Sequence, residues 1–338
     1  MESILAVILF WGKTELTRRC IISLVNQKVI SCDVLIIDNH SKENFSETFR
    51  KDFPTIQIVR NSENLGVSAG RNIGIRYALK QDYQYVLLLD NDACADAYML
   101  SELVGAARRQ PAAGILGPKI YRDDSKRVIW RAGCTSWKWT YLHAGHALLK
   151  RIFRWAQRPL PEPFDTIRGE NKVDIGQFDL EQDIDFQIGC AQLIKTEVFQ
   201  DVGLLDEEFS PYGSEDIDFC VRAKLSGWRI RYVPGARCWH SIGGSFQDVY
   251  QRAYFNTKNL LLLARKNIGP FYFCFLFLPD YIFLSLPLMW LESIFQKNSK
   301  RRKAIIEAVL WNLRDIKQRG VLIGGRQKKE FTDNRDGL

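Results

Sequence analysis

A chain of 338 residues with 46% hydrophobic and 25% charged residues has the composition of an ordinary globular protein, which excludes a disordered one. Its 47 Lys and Arg against 39 Asp and Glu give a net charge of +8, which favours an anionic partner: nucleic acid, a phospholipid surface or a phosphorylated small molecule. The eight cysteines stand far apart with no C-x-x-C pair, so neither a zinc knuckle nor a disulfide framework is expected, and a reducing cytosol suits them.

The opening MESILAVILFWGK enters an apolar run with no basic n-region or small-residue cleavage site, and reads as a first strand rather than a signal peptide. ILAVILF (4–10), DVLIIDN (33–39), IQIV (56–59) and YVLLLDND (85–92) are short β-branched or Leu-rich runs between polar segments, the pattern of buried strands. Between the first two, Leu16, Cys20, Ile21, Leu24 and Val25 recur at helical spacing. After the third, Ile73, Tyr77 and Leu79 do the same. This alternation predicts an α/β fold with a mostly parallel central sheet sandwiched by helices, whose ligands sit beyond the carboxyl ends of the strands. Asp38, Asp90 and Asp92 stand at those ends.

Two carboxylates one residue apart at the end of a buried strand repel each other unless a cation joins them. Mg²⁺ or Mn²⁺ suits, since these ions take one or two carboxylates and fill the other positions with water and substrate phosphates. A turn with a helix cap accounts for DND equally well. NSENLGVSAGRNIG (61–74) places Gly66, Gly70 and Gly74 around a turn that opens a helix, with Arg71 beside it. Backbone N–H groups and the helix dipole can meet a phosphate there, or the glycines only punctuate a loop; the spacing is not G-x-G-x-x-G. Asp38 is placed to accept hydrogen bonds from a base or ribose, or to cap a turn.

Further on, Asp206, Glu207, Glu208, Glu215, Asp216 and Asp218 crowd one stretch. From Ser214 the sequence predicts an N-capped helix ended by Gly227, with Phe219, Val221 or Arg222, and Leu225 toward the core. Its acids suit the dipole of a first turn, and one of them facing an electrophile held by a metal and phosphates would serve as general base. RYVPGARCWHS adds a strand and His240, which a metal or a core hydrogen bond can claim.

DNHS (38–41), NLGVSAGRNIG (64–74), LLLDNDA (87–93), IGCAQLIKTEVFQDVGLLDEEF (188–209) and SEDIDFCVRAKLSGWRI (214–230) stand in that order. Together they make residues 3–260 resemble the family 2 inverting glycosyltransferases of GT-A fold, in their rhamnosyltransferase-like branch. The resemblance implies a dTDP- or UDP-linked sugar donor held by Asp38, Asn64, Gly66, Arg71, Asn72, Asp90, Asn91 and Asp92. It implies a divalent cation, Mg²⁺ or Mn²⁺, on Asp90 and Asp92 with His240 completing the shell, and Asp216 as the catalytic base. Gly189, Cys190, Ala191, Glu215 and Trp239 would border the donor sugar and acceptor. Two positions depart from the family's pattern: FWGKTEL follows the first strand where relatives carry an Asn, or Tyr with Asn, and His40 replaces a small or polar residue. A pyrophosphorylase would need a Gly-rich, Arg-containing loop after the first strand, which is absent from the sequence, and no nucleic-acid recognition module appears. A membrane-associated binding protein on a degenerate transferase scaffold is the other reading.

The expected organisation is a transferase domain over 1–260, with a nucleotide-sugar half (1–92) and an acceptor half (93–260), followed by a hydrophobic and basic helical region over 261–338. Within the acceptor half, 122–183 interleaves Trp130, Trp137, Trp139, Tyr141 and Trp155 with Arg151, Arg154, Arg158 and His143, as an acceptor-binding elaboration or a small core under a long loop. FYFCFLFLPDYIFLSLPLMWL (271–291) is long enough to span a bilayer but is interrupted by Pro279, Asp280 and Pro287. With Arg265 and Lys266 before it and KNSKRRK (297–303) after it, it is expected to dip into the cytoplasmic leaflet rather than span it. That places a cytoplasmic, peripheral protein beside a lipid-linked oligosaccharide or polysaccharide acceptor. Ile305, Val309, Leu310 and Leu313 offer a homodimer face.

Overall fold

The structure, a computed structural model, describes residues 2–42, 45–135, 167–242 and 248–320. Four strands, β1 (Ile4–Phe10), β2 (Asp33–Asp38), β3 (Gln57–Arg60) and β4 (Tyr85–Asp90), alternate with helices α1 (Thr14–Val25), α2 (Phe45–Asp52) and α3 (Gly66–Lys80). They pair in parallel in the order β3-β2-β1-β4. Continuous apolar runs form these strands because both faces are covered: Ile4, Ala6, Ile8 and Phe10 of β1 point into one core layer, Leu5 and Val7 into the other. The register Phe10↔Asp38 and Leu9↔Asp90 brings the acidic strand ends to one edge.

Beyond β4 the sheet turns mixed. The further elements are β5 (Ala93–Ala95), α4 (Met99–Arg109), β6 (Ala113–Arg122), β7 (Ser125–Arg131), β8 (Lys172–Val173), β9 (Gln182–Ile184) and β10 (Ala191–Lys195). They are followed by α5 (Thr196–Val202), α6 (Glu215–Leu225) and β11 (Arg229–His240). The path continues β4-β10-β6-β11-β5, with β10 antiparallel to both neighbours and β11 parallel to β6. The antiparallel register Ala191↔Leu89 sets Gly189 and Cys190 beside the end of β4, and the Asp90 N–H donates to the Cys190 carbonyl at 2.9 Å. Likewise His240↔Ala93 carries the end of β11 to the same place. α1 and α4 cover one face; α3, α5 and α6 cover the other.

In α6 the buried apolar positions are Phe219, Cys220, Val221 and Ala223, while Leu225, expected in the core, is exposed because the helix turns it outward before Gly227 (φ +95°). Ser214 stands at the N-cap position in left-handed conformation and makes no side-chain cap; the Glu215 carboxylate takes the Gly213 N–H instead.

Helix α7 (Val249–Asn267) runs across residue 260 and seats Leu262 and Leu263 on Phe209 of the transferase region. α8 (Pro270–Phe295) and α9 (Ser299–Arg319) pack back on it. One face of α8 stacks Phe273, Phe277 and Tyr281 at 5.8 and 5.9 Å and packs on Leu261, Ala264 and Ile268. The opposite face leaves Phe271, Phe275, Phe283 and Phe295 exposed. By length and composition α8 can cross a membrane.

Two expectations for this region are corrected. Arg265 is fully buried in an ion pair with Asp315, and Lys266 is bound to Asp206 and Glu208, so these cations are engaged by the protein itself; in the flank after α8, Arg301 pairs with Glu292 and Arg302 donates to the Ser293 carbonyl, while Lys300 and Lys303 are exposed. Ile305 is buried and Val309 packs into the α7–α8 cluster, whereas Leu310 and Leu313 point outward, so the four do not form one dimer face.

Candidate active site

The carboxyl edge of β1 and β4 holds a charged cluster assembled from five separate segments. Asp90 ends β4 and Asp92 follows it; Arg71 rises from α3, Lys13 from the β1–α1 junction, Glu215 and Asp216 from the start of α6, and His240 from the end of β11. Arg71, almost wholly buried, donates to Asp90 at 2.5 Å and to the Gly189 carbonyl at 2.8 Å, and its other amino group stands 3.9 Å from Glu215. Gly189 in turn donates its N–H to Asp216 at 2.7 Å. A Cβ at residue 189 would meet the Arg71 guanidinium at 2.7 Å, so only glycine lets these groups close on one another.

Asp92 is held from two sides, with one oxygen 3.1 Å from the Lys13 ammonium and the other 3.0 Å from His240 Nε2. The two acids of the pair therefore differ. Burial raises the Asp90 carboxyl despite the Arg71 charge, with Asp92 adding to the rise. For Asp92 burial is outweighed by the His240 hydrogen bond and the Lys13 charge, which hold it below its ordinary value. Burial favours a neutral His240 ring, but the Cys190 sulfur, Asp92 and Asp90 outweigh it and raise the group to about 9. Trp130 lies against the same ring at 4.5 Å.

Across Arg71, burial and the charge of Asp216 lift Glu215 to about 7. Burial also raises Asp216, although the Gly189 and Ile217 N–H groups partly oppose it. Asp216 is the more accessible of the two. The other acids of that stretch lie elsewhere: Asp218 pairs with Arg222 and Asn267, Glu207 with Asn72 and Arg76, and Asp206 and Glu208 with Lys266.

Several residues expected at the donor site make contacts within the scaffold. The Asp38 carboxylate is fully buried, accepting from the Ser41 N–H and from Arg60 at 2.8 Å each, and Arg60 is the exposed group at that strand end. Asn64 accepts from Asn39 and from the Gly66 N–H. Asn72 ties α3 to Leu205, and Asn91 donates to the Gly12 carbonyl and to Thr17. Gly66 (φ +81°) approaches Pro211 so closely that a Cβ would meet its carbonyl at 2.9 Å. Trp239 stacks on Tyr121, one residue before His240 and so on the opposite face of the sheet; the aromatic ring beside the acids is Trp130. Of the aromatic and basic residues noted within 122–183, Trp130 alone lies among the described residues.

The donor set fits a divalent ion. One ligand atom each from Asp90, Cys190 and His240 lie within 4.8 Å of one another, Asp92 adjoins His240, and the buried His240 Nδ1 has no hydrogen-bond partner among the described residues. The two carboxylates suit Mg²⁺ or Mn²⁺, while the imidazole is a donor more typical of transition-metal ions. Lys13 escaped the sequence reading; its one signal was the departure of FWGKTEL from the family's pattern.

Residues 6–203 match glycosyl transferase family 2. The chain is 24% identical over 250 residues to the dTDP-rhamnosyl transferase RfbF of Shigella flexneri, covering 71% of this chain and 73% of that protein. It is 26% identical to an N-acetylglucosaminyl-diphospho-decaprenol L-rhamnosyltransferase of Mycobacterium tuberculosis, covering 65% of this chain and 69% of that protein. It is 24% identical to the chondroitin synthase of Escherichia coli over 79% of this chain but spans only 38% of that relative. Among solved structures it is similar to GalNAc-T7 with UDP, GalNAc and Mn²⁺ (TM-score 0.58, 16% identity, 93% of this chain and 58% of that one). It is also similar to residues 1–349 of S. aureus TarS (TM-score 0.53, 14% identity, 91% and 81%). The chain belongs to glycosyl transferase family 2 and carries the GT-A fold.

Proposed function

We propose that this protein is an inverting hexosyltransferase that moves a sugar, rhamnose foremost, from a dTDP- or UDP-linked donor to a hydroxyl of a lipid-linked oligosaccharide or polysaccharide. The observation that carries the reading is the convergence of Asp216 and the Asp90–Asp92 pair on the two sides of one buried arginine, at the carboxyl edge where such sheets bind ligands. The names of the rhamnosyltransferase relatives favour dTDP-rhamnose and a polyprenyl-diphosphate acceptor.

Asp216 accepts the proton of the acceptor hydroxyl as that oxygen attacks the anomeric carbon. The bond from that carbon to the donor's β-phosphate oxygen breaks on the far side, and the electron pair leaves with the diphosphate, inverting the centre. A carboxylate whose affinity for protons is raised by burial is a better base than an exposed one. Gly189 fixes Asp216 through its N–H, and Arg71 keeps Asp90 and the Gly189 carbonyl in place. Asp90, Asp92 and His240 would hold the divalent ion, which supplies positive charge for the leaving diphosphate.

The acceptor would be met at a membrane surface. The exposed apolar face of α8 and the exposed Lys300 and Lys303 that follow it suit a peripheral site on the cytoplasmic leaflet.

The test is binding and transfer across a panel of nucleotide sugars, with and without Mn²⁺ or Mg²⁺, for the wild type, Asp92→Ala and Asp216→Asn. One donor is expected to bind only with metal. Asp92→Ala should abolish that binding, and Asp216→Asn should keep it while losing transfer by about 10³-fold or more. Failure of every nucleotide sugar to bind would leave a non-catalytic binding protein.

A further inference from the structure

The junction between β1 and α1 is strained in a way that the fold alone does not require. Gly12 and Lys13 follow one another in left-handed conformation, φ +86° for the first and φ 65°, ψ 53° for the second. A lysine has no intrinsic reason to adopt it, and such strain persists only where the surroundings hold it. Here the Asn91 side chain, the middle residue of DND, donates to the Gly12 carbonyl at 3.1 Å, and Thr17 donates twice to the Lys13 carbonyl, at 3.0 Å from its N–H and 3.1 Å from its hydroxyl. The result is that the chain turns back over the acids and sets the Lys13 ammonium 3.1 Å from Asp92 Oδ2. The side chain of Lys13 is 23% exposed and that of Asp92 only 7%, so solvent reaches the pair mainly from the lysine side.

We propose that Lys13 is a specificity-determining residue of this site: a resident cation that competes with the divalent ion for Asp92 and moves to the donor diphosphate once the ion is bound. The proposal rests on the transferase reading. An ammonium and a doubly charged ion cannot share one carboxylate oxygen without strong repulsion in a partly buried site, so one must leave. Lys13 has a flexible four-carbon stem and a point-charge head, the features that suit lysine to phosphate binding. The opposite oxygen of Asp92 is 3.0 Å from His240 Nε2, so the carboxylate is oriented from both sides before the ion enters. The consequence is a threshold: the site takes up metal tightly only when a diphosphate is there to receive the displaced ammonium.

The experiment is a Mn²⁺ titration followed by electron paramagnetic resonance, with and without UDP or dTDP, on the wild type, Lys13→Met and Lys13→Arg. Removing the competing charge is expected to tighten nucleotide-free Mn²⁺ binding about tenfold in Lys13→Met and to weaken nucleoside diphosphate binding at saturating Mn²⁺ by a similar factor. Lys13→Arg, which keeps a cation, should stay near the wild type. Unchanged or weaker Mn²⁺ binding by Lys13→Met overturns the proposal, as does absence of Mn²⁺ binding by both proteins. In that last case a nucleotide-sugar titration by tryptophan fluorescence separates the two ideas. Donor binding without metal leaves the transferase reading standing and removes only the role of Lys13, whereas no donor binding removes both.

Discussion

The crevice and the outer face of α8 treat their surroundings in opposite ways. In the crevice the acids are met from within: Asp92 by Lys13 and His240, Asp90 by Arg71, Asp216 by the Gly189 and Ile217 N–H groups. On α8 the chain buries one aromatic ladder and leaves Phe275 and Phe283 about two-thirds to three-quarters exposed. A site that neutralises itself is stable in water and changes only by exchange of one charged partner for another. An apolar face that none of the described residues covers is instead unfinished in water, and calls for a partner that removes water altogether.

The largest effect should come from breaking the internal compensation. Arg71→Met leaves Asp90 without its cation and the buried Gly189 carbonyl without its donor. Removing one partner of a fully buried ion pair generally costs about 3–5 kcal/mol, and because the Asp90 side chain is 35% exposed, urea unfolding should show a smaller loss, roughly 2–3 kcal/mol. A loss below about 1 kcal/mol would mean that solvent replaces the guanidinium easily and that the crevice is wetter than its burial suggests.

The next effect sharpens the other side. Phe275→Ser with Phe283→Ser removes two rings from the open face without touching the Phe273–Phe277–Tyr281 ladder. Cosedimentation with vesicles rich in phosphatidylglycerol should fall roughly 30-fold if those rings enter lipid. Binding equal to the wild type would assign the face to a protein partner. Lys266→Gln should leave vesicle binding alone, since that ammonium is already committed to Asp206 and Glu208.

The same contrast governs how much could be read before the structure was known. β1 to β4 are legible because strands buried on both faces are continuous apolar runs, and their acidic ends stand out against them. β6 is not: Ala113–Arg122 contains Gly114, Gly117, Pro118 and a fully buried Lys119, whose ammonium is satisfied by Asp174 and Asp179 more than fifty residues on. β10 has five residues and owes its place to its neighbours on both sides. Within the site, Asp90, Asp92, Asp216 and His240 were visible as acids or a histidine at element ends, whereas the bracing roles of Asn64, Asn72 and Asn91 depend on which carbonyls the fold brings near. Lys13 was hidden for a related reason: a single lysine carries no pattern, and its direction is set by the left-handed turn at Gly12.

The smallest effect tests whether the crevice tolerates charge that is not compensated. Glu215 rises from its ordinary value of 4.5 to about 7, first through burial and then through the charge of Asp216. Between those two pH values the folded chain keeps a proton that the unfolded chain has released. Stability therefore falls as pH rises through that window and stays reduced above it, by on the order of 2 kcal/mol. Glu215→Gln imitates the protonated form and can still accept the Gly213 N–H that the carboxylate accepts. The variant should match the wild type at pH 4 and exceed it by about that amount at pH 8, in urea unfolding at both values. A variant less stable than the wild type at pH 8 would mean that the ionised carboxylate is stabilised by Arg71, 3.9 Å away, more than it is penalised by burial and by Asp216. The arginine would then compensate both sides of the crevice, and its loss in Arg71→Met should exceed that of a single broken pair.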